Sequence, residues 1–299
     1  MTDVAAAPTS DQIQQNGQSE AVPWTTSAWE QVQLARHRDR PRMLDYVAAL
    51  TRDFIELHGD RTFGDDRALI GGIGRLGDRS VMILGHQKGR DTKENLERNF
   101  GMSRPEGYRK AIRLLRQAEK FGMPVVTLID TPGAEPNIGS EERGQATAIA
   151  ESILTMSDLR VPIVAVVISE GGSGGALAIG VADRVLMLEH AIYSVISPEG
   201  AAAILWKDAA KAPDAAATMR ITASDLLGFG IIDDIVAEPI PAHEAPKAAI
   251  RDTGDAIAHA LDELDGLLGE PNGVDELLQA RHDKFRRIGA WRDAGQPAG

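Results

Sequence analysis

The apolar positions of this chain change period several times, and each change marks an element. From Trp29 to Leu50 the spacing is helical: Pro41 interrupts it, and Leu44, Val47 and Ala48 resume it, so two helices are predicted ahead of any strand. Residues 68–86, ALIGGIGRLGDRSVMILGH, alternate and then run apolar on either side of Gly77-Asp78, which predicts a β-hairpin. PEGYRKAIRLLRQAEKFG then places Tyr108, Ala111, Ile112, Leu115 and Ala118 on one helical face with Gly122 as the stop. MPVVTLID and VPIVAVVIS are apolar without alternation, the mark of parallel strands buried on both faces. Between them SEERGQATAIAESILTMSDL reads as a helix capped by Ser140, with Ile149, Ile153 and Met156 turned inward.

DRVLMLE and AIYSVIS predict two short strands, and SPEGAAAILW a helix with Ser197 as cap and Pro198 in its first turn. ITASDLLGFGIIDDIVAEP adds a short helix and a strand. The rest is helical, with one stripe of Ile250, Ile257, Leu261, Leu264 and Leu268 and a second of Leu277, Leu278, Phe285 and Ile288. Strand and helix alternating in this order predict an α/β fold with crossover connections. We expect a disordered tail over 1–25, one main domain over 26–265 and a helical annex over 266–299.

Composition narrows the function classes. With 299 residues and 43% hydrophobic content the chain can bury a sizeable core. A formal charge of -12 repels phosphate backbones and anionic membranes, so no principal nucleic-acid partner and no membrane association are expected. The chain has no cysteine, which excludes disulfides, thiol nucleophiles and thiolate metal sites. The opening residues carry Asp3 and no continuous apolar core, unlike an export signal. The longest apolar run, VPIVAVVI, is far below the ~20 residues that span a bilayer. These features predict a cytoplasmic protein.

Two glycine-rich strand ends are the candidate site: IDTPGAEPNIGSEERGQ (129–145) and SEGGSGG (169–175). Ligands bind at the carboxyl ends of adjacent strands in α/β sheets, and amides opening a helix there would face an oxyanion. Gly72, Gly74 and Gly77 match Gly-x-Gly-x-x-Gly, yet a strand rather than a helix follows them, which removes the dinucleotide reading. No Lys-Ser or Lys-Thr follows the second glycine cluster, which removes the phosphate loop. Gly171-Gly172-Ser173-Gly174-Gly175 contains Gly-x-Ser-x-Gly, so a serine hydrolase using Ser173 is an alternative; it needs Asp225 or Asp233 with His243 or His259. Between Lys88 and Arg116 nine basic residues stand against four acids. Lys110, Arg113 and Arg116 suit a solvated helix face, and the remainder suits an anionic, partly planar ligand.

GHQKGRDTKENLERNFGMSRPEGYRKAIRLL, IDTPGAEPNIGSEERGQ, SEGGSGGALAIG and YSVISPEGAAAILWKD together resemble the α subunits of the carboxyltransferase component of bacterial acetyl-CoA carboxylase, from about Trp29 to about Leu264. The resemblance implies a crotonase-like fold, a spiral of strand pairs and helices with flanking N- and C-terminal helices. It implies a β subunit as partner in an α2β2 enzyme that makes malonyl-CoA from acetyl-CoA for fatty acid biosynthesis. The carboxyl group would come from carboxybiotin on a separate biotin carboxyl carrier protein, charged by an ATP-using biotin carboxylase, with no metal in this chain. The amides of Gly174 and Gly175 would form the oxyanion hole for biotin, with Gly171 and Gly172 beside them. Gly133 and Ala134 would line the same cleft, and Arg143, Arg98 and Asn99 would meet the transferring carboxylate. Preorganised amides of this kind are worth about 3 kcal/mol each, and Gly175→Val is expected to abolish turnover while leaving folding nearly intact. Two departures from the family stand out: a shorter N-terminal segment, and Glu135 where the family carries an aromatic residue.

Overall fold

A computed structural model describes residues 26–289. The expected tail, 1–25, and the last ten residues of the annex lie outside the described residues. Two short helices come first, α1 (Ala28–Ala35) and α2 (Met43–Leu50). Ser27 caps α1 through a reciprocal pair with Glu30, which satisfies two amides that a helix start otherwise leaves open.

The centre is an eight-stranded sheet in the order β1-β2-β3-β4-β5-β6-β8, with β7 also paired to β5. Strands β1 (Arg52–Glu56), β2 (Leu69–Leu76) and β3 (Arg79–His86) form an antiparallel edge, and the hairpin is in register from Leu69↔His86 to Leu76↔Arg79. The turn between β2 and β3 is made by Gly77 at φ +58°. After a short helix α3 (Thr92–Glu97), helix α4 (Pro105–Phe121) crosses to β4 (Val125–Thr131), which runs parallel to β3. Gly122 ends α4 in the left-handed conformation, as its position predicts.

From β4 the chain passes through α5 (Ile138–Glu142) and α6 (Gln145–Asp158) to β5 (Ile163–Gly172), parallel to β4. The single helix expected here is two. Asn137, not Ser140, caps the first, and Gly144 at φ +79° breaks the chain before the second. Ser140 is buried and donates its hydroxyl to Glu135 at 2.5 Å. Every residue of β4 and β5 is buried, which accounts for their unbroken apolar sequence.

A single turn, α7 (Ser173–Leu177), leads to β6 (Arg184–Leu188), and β7 (Ile192–Ser194) returns beside the glycines at the end of β5. Helices α8 (Pro198–Trp206), α9 (Ala212–Met219) and α10 (Ala223–Gly228) precede β8 (Asp234–Val236). Helix α11 (Pro246–Leu268) runs without a break through residue 265, and α12 (Gly273–Arg287) follows. Leu277 of α12 belongs to the central core cluster. Arg281, fully buried, pairs with Asp183 and caps the carbonyls of Met156, Leu159 and Val161.

Candidate active site

The carboxyl ends of β4 and β5 carry the two glycine-rich loops side by side, because the strands pair from Val125↔Ile163 to Thr131↔Gly171. Thr131 closes the first loop: its hydroxyl donates to the Gly133 carbonyl at 2.7 Å and accepts the Gly133 N–H at 3.1 Å. Gly133 itself has φ +153°, a conformation other residues rarely adopt.

The second loop is bare because the first lies on it. A Cβ on Gly172 would stand 2.1 Å from the Pro132 carbonyl oxygen, and one on Gly175 2.5 Å from the Ala134 nitrogen. One on Gly171 would meet the Tyr193 ring at 2.8 Å, and one on Gly180 the Ala176 carbonyl at 3.0 Å. Close packing therefore accounts for three of the loop's four glycines, and for Gly180 beyond it. Gly174 differs: its nearest neighbours are methyls of Ile149 at 3.7 Å, and it opens on a cavity of about 450 Å³ walled by Leu177, Tyr193, Val195, Ile221 and Phe229.

The first amides of a helix lack partners within it, and Gly172 supplies no side chain to cap those of α7. With five residues, α7 is too short for a large macrodipole. What this turn can offer an anion is therefore its own uncapped first amides rather than a macrodipole.

Charged groups stand on the ends of three adjacent strands next to the glycines. Lys88, just beyond β3, meets Asp130 of β4 at 2.7 Å and Glu170 of β5 at 3.3 Å. Burial pulls the Lys88 ammonium down, but the two carboxylates outweigh it and hold its pKa above the ordinary lysine value. Burial pushes Asp130 up, and Lys88 together with Arg42 more than reverses that, leaving it below the usual carboxylate range. His86, at the end of β3, is fully buried beside the Gly175 backbone, and neither ring nitrogen has a well-formed hydrogen bond. Burial, reinforced by Lys88, pushes it down to about 4, so it is neutral at pH 7. Burial likewise pushes Tyr193 up to about 12.

Gly133, Ala134, Gly171, Gly172, Gly174 and Gly175 thus come together. Arg143, Arg98 and Asn99 have their polar contacts elsewhere, although the turn after Asn99 packs against the end of β4, where a Cβ on Gly101 would lie 3.0 Å from the Asp130 carbonyl. Arg143 pairs with Glu106 at 2.5 Å, stacks on Phe63 at 4.8 Å and lines a separate cavity with Arg104 and Asn137. Arg98 holds Glu94 at 2.9 Å and the Arg67 carbonyl at 3.1 Å. Asn99 donates to the Met102 carbonyl at 2.8 Å. The basic patch loses one member to the interior: Lys110, expected on a solvated face, is buried and bonded to Asp65 at 2.6 Å and the Asp66 carbonyl at 2.8 Å, while Arg116 is exposed as expected. Glu135 is buried between Arg104 and Ser140.

Ser173 has an exposed position at φ +51°, but its proposed triad partners are engaged elsewhere. Asp225 binds Arg220 and Thr222, and Asp233 accepts the Val185 N–H at 2.6 Å. His243 lies 3.8 Å from the His37 ring, and His259 pairs with Glu263 on α11. Sequence reasoning missed Lys88, Asp130, Glu170 and His86 as a group. Their signal was a charged or imidazole side chain at or near the carboxyl end of an apolar run, repeated on three strands.

The family model described as acetyl co-enzyme A carboxylase carboxyltransferase-like matches residues 7–289. The chain is 53% identical over 268 residues to the acetyl-coenzyme A carboxylase carboxyl transferase subunit alpha of Geobacter metallireducens, covering 89% of this chain and 83% of that one. It is 55% identical over 267 residues to the protein of the same name from Xanthomonas axonopodis pv. citri, covering 89% and 82%. Among solved structures, transcarboxylase 12S with methylmalonyl-coenzyme A bound superposes with TM-score 0.61 at 24% identity, over 75% of this chain and 41% of that one. That likeness shows the fold, the crotonase-like arrangement of carboxyltransferases.

Proposed function

The chain belongs to the family of acetyl-CoA carboxylase carboxyl transferase α subunits, and from that premise we propose that its β4 and β5 loops form the biotin half of the carboxyl-transfer site. The activity is transfer of a carboxyl group to acetyl-CoA, giving malonyl-CoA, by this subunit together with a β subunit. In our reading the donor arrives as carboxybiotin on a separate carrier protein, which a biotin carboxylase recharges, in the cytoplasm.

Biotin, when bound, supplies a ureido ring that carries the carboxyl group and gains negative charge on its oxygen as the group leaves. The residues present fit such a ring. Gly174 leaves space where the other glycines do not, its amide and that of Gly175 have no capping side chain, and the cavity beside them has an apolar wall. These amides would donate to the ureido oxygen, and the apolar wall of Leu177, Tyr193, Val195 and Phe229, of which Val195 and Phe229 are exposed in this chain alone, would exclude water and strengthen that interaction once covered. Gly133 and Ala134 hold the loop in place from behind. No side-chain nucleophile is needed, and Ser173 has no role as one.

The observation that carries this proposal is Gly174, the one member of the cluster whose bareness packing does not explain. The test is to combine the chain with a β partner and follow malonyl-CoA decarboxylation in the presence of free biotin. Activity should require both chains and fall at least about tenfold in Gly174→Val, since an obstructed amide loses much of its share of transition-state binding. Full activity without a partner, or unchanged turnover in Gly174→Val, would overturn it.

A further inference from the structure

The last residues of β5 are gripped by a segment outside both glycine loops. Residues 35–40 join α1 to α2. The Ala35 carbonyl accepts the Ser169 hydroxyl at 2.5 Å, Arg36 donates Nε and Nη2 to Glu170 at 2.9 and 2.7 Å, and Arg40 donates Nη2 to the Ile168 carbonyl at 3.0 Å. Three consecutive residues, 168–170, are held directly before Gly171.

The grip is anchored on every side. Lys88 reaches Glu170 from the β3 end and also holds Asp130. Arg36 spends its remaining nitrogen on Glu199 of α8 at 2.7 Å, and Arg40 pairs with Glu238 at 3.0 Å. Glu199, Arg36, Glu170, Lys88 and Asp130 therefore form one connected chain of charges around the strand end, and Arg40 with Glu238 forms a separate pair that reaches the strand through the Ile168 carbonyl. A buried ion pair adds little net stability compared with apolar packing of the same shape. What it supplies here is one geometry, because charge partners fix direction as well as distance. A Gly-Gly strand end has no side chains through which it could be held, so the residue before it is the last point of purchase.

We propose that Glu170 is a positioning residue for carboxyl transfer, and that segment 35–40 is the brace that sets where the 171–175 backbone stands. The inference rests on the reading of that backbone as the biotin site. Glu170 touches no reacting atom. It acts through the peptide groups that follow it, and Arg36 acts through Glu170.

The test uses the full chain combined with its β partner and assayed for malonyl-CoA decarboxylation with free biotin. Arg36→Met and Glu170→Gln should each lower kcat by about 10- to 100-fold, the scale expected when a supporting group shifts a site by about 1 Å. The KM for malonyl-CoA and the amount of assembled complex should stay within about twofold of wild type, separating a positioning effect from a folding or binding one. The double variant should be no worse than either single, because both remove the same grip. Arg36→Lys, which keeps the charge and loses the two-pronged contact, should fall between, about 3- to 10-fold below wild type. Should the two stronger variants fail to assemble, Arg36→Lys decides alone. Wild-type kcat in the assembled variants, or strictly additive losses in the double variant, would overturn the brace while leaving the biotin site standing. An inactive wild-type complex would overturn both.

Discussion

Residues 71–77 and 171–175 are both dense in glycine, both match a named motif letter by letter, and use their glycines differently. The first lies inside a regular antiparallel ladder, paired residue for residue from Leu69↔His86 to Leu76↔Arg79. There the missing side chains make room for neighbours: a Cβ on Gly71 would meet Leu114 Cδ1 at 2.4 Å and Leu84 Cδ2 at 2.5 Å, and one on Gly74 would meet Thr51 at 3.2 Å. The second straddles the end of β5, with Gly171 and Gly172 still paired to β7 and Gly174 and Gly175 beyond it, another loop's backbone on one side and an open cavity on the other. Glycine in a ladder is a packing device; glycine past its end leaves backbone groups that can be spent on a ligand.

The comparison is broken most severely by a methyl group at Gly172. Its Cβ would fall 2.1 Å from a backbone oxygen, which has no rotamer to move away with. Gly172→Ala should cost about 3 kcal/mol, the upper end of overpacking penalties, and lower turnover of the assembled enzyme by about 100-fold as the two loops separate. Gly71→Ala, whose clash is with the tips of two leucines, should cost about 1 kcal/mol and leave turnover unchanged. Urea midpoints and decarboxylation rates of the two variants check this. Equal costs would mean that the second loop yields as easily as a side chain, and the contrast would fail. Gly175→Val falls with Gly172→Ala rather than leaving folding nearly intact: with the Ala134 nitrogen 2.5 Å from its Cβ, that substitution disturbs the fold and does not report on chemistry alone.

His86 ties the two regions together, ending the hairpin strand and lying buried beside Lys88 and Asp130. Its folded pKa is depressed to about 4 from an ordinary 6.5, so the unfolded chain binds a proton that the folded one refuses. Stability is unaffected above pH 6.5, falls as pH drops from 6.5 to about 4, and levels off below. The full loss is roughly 3 kcal/mol at 1.36 kcal/mol per pKa unit. Urea midpoints of wild type and His86→Phe, compared between pH 7 and 4, isolate this contribution from that of the acids. The wild type should lose more stability than the variant. Parallel curves would remove His86 as the cause.

Much of this contrast was legible from local signals. The hairpin showed in the alternation around Gly77-Asp78, and the continuing strand ruled out the dinucleotide motif. The second loop was correctly placed between a buried strand and a helix. What it packs against was not legible, because Pro132 and Ala134 lie about 40 residues earlier and no periodicity links them to Gly172 and Gly175. The grip of Arg36 on Glu170 spans 134 residues and that of Lys88 spans 82, so the basic patch read as a solvated face and a ligand surface. The mistaken cap at Ser140 is a local error: Asn137 competes three residues earlier, and Gly144 in the left-handed conformation splits the helix.

The finest cut is made at Gly174, where structure and chemistry come apart. Its φ is not positive and its added Cβ would meet Ile149 at an ordinary 3.7 Å, so nothing in the fold resists a methyl group. Ala lowers the entropy of the unfolded chain and suits a helical turn better than Gly, a gain of up to about 0.5 kcal/mol at a helix end. Gly174→Ala should therefore leave the urea midpoint unchanged or slightly raised, and assembly with the β chain intact. Only a ligand using the neighbouring amides meets the new methyl group. Turnover should then fall by about tenfold, near 1.4 kcal/mol of lost transition-state binding, at undiminished stability. If Gly174→Ala instead retains full turnover and Gly174→Val loses stability, Gly174 joins the other glycines as a packing position, and the two regions no longer differ.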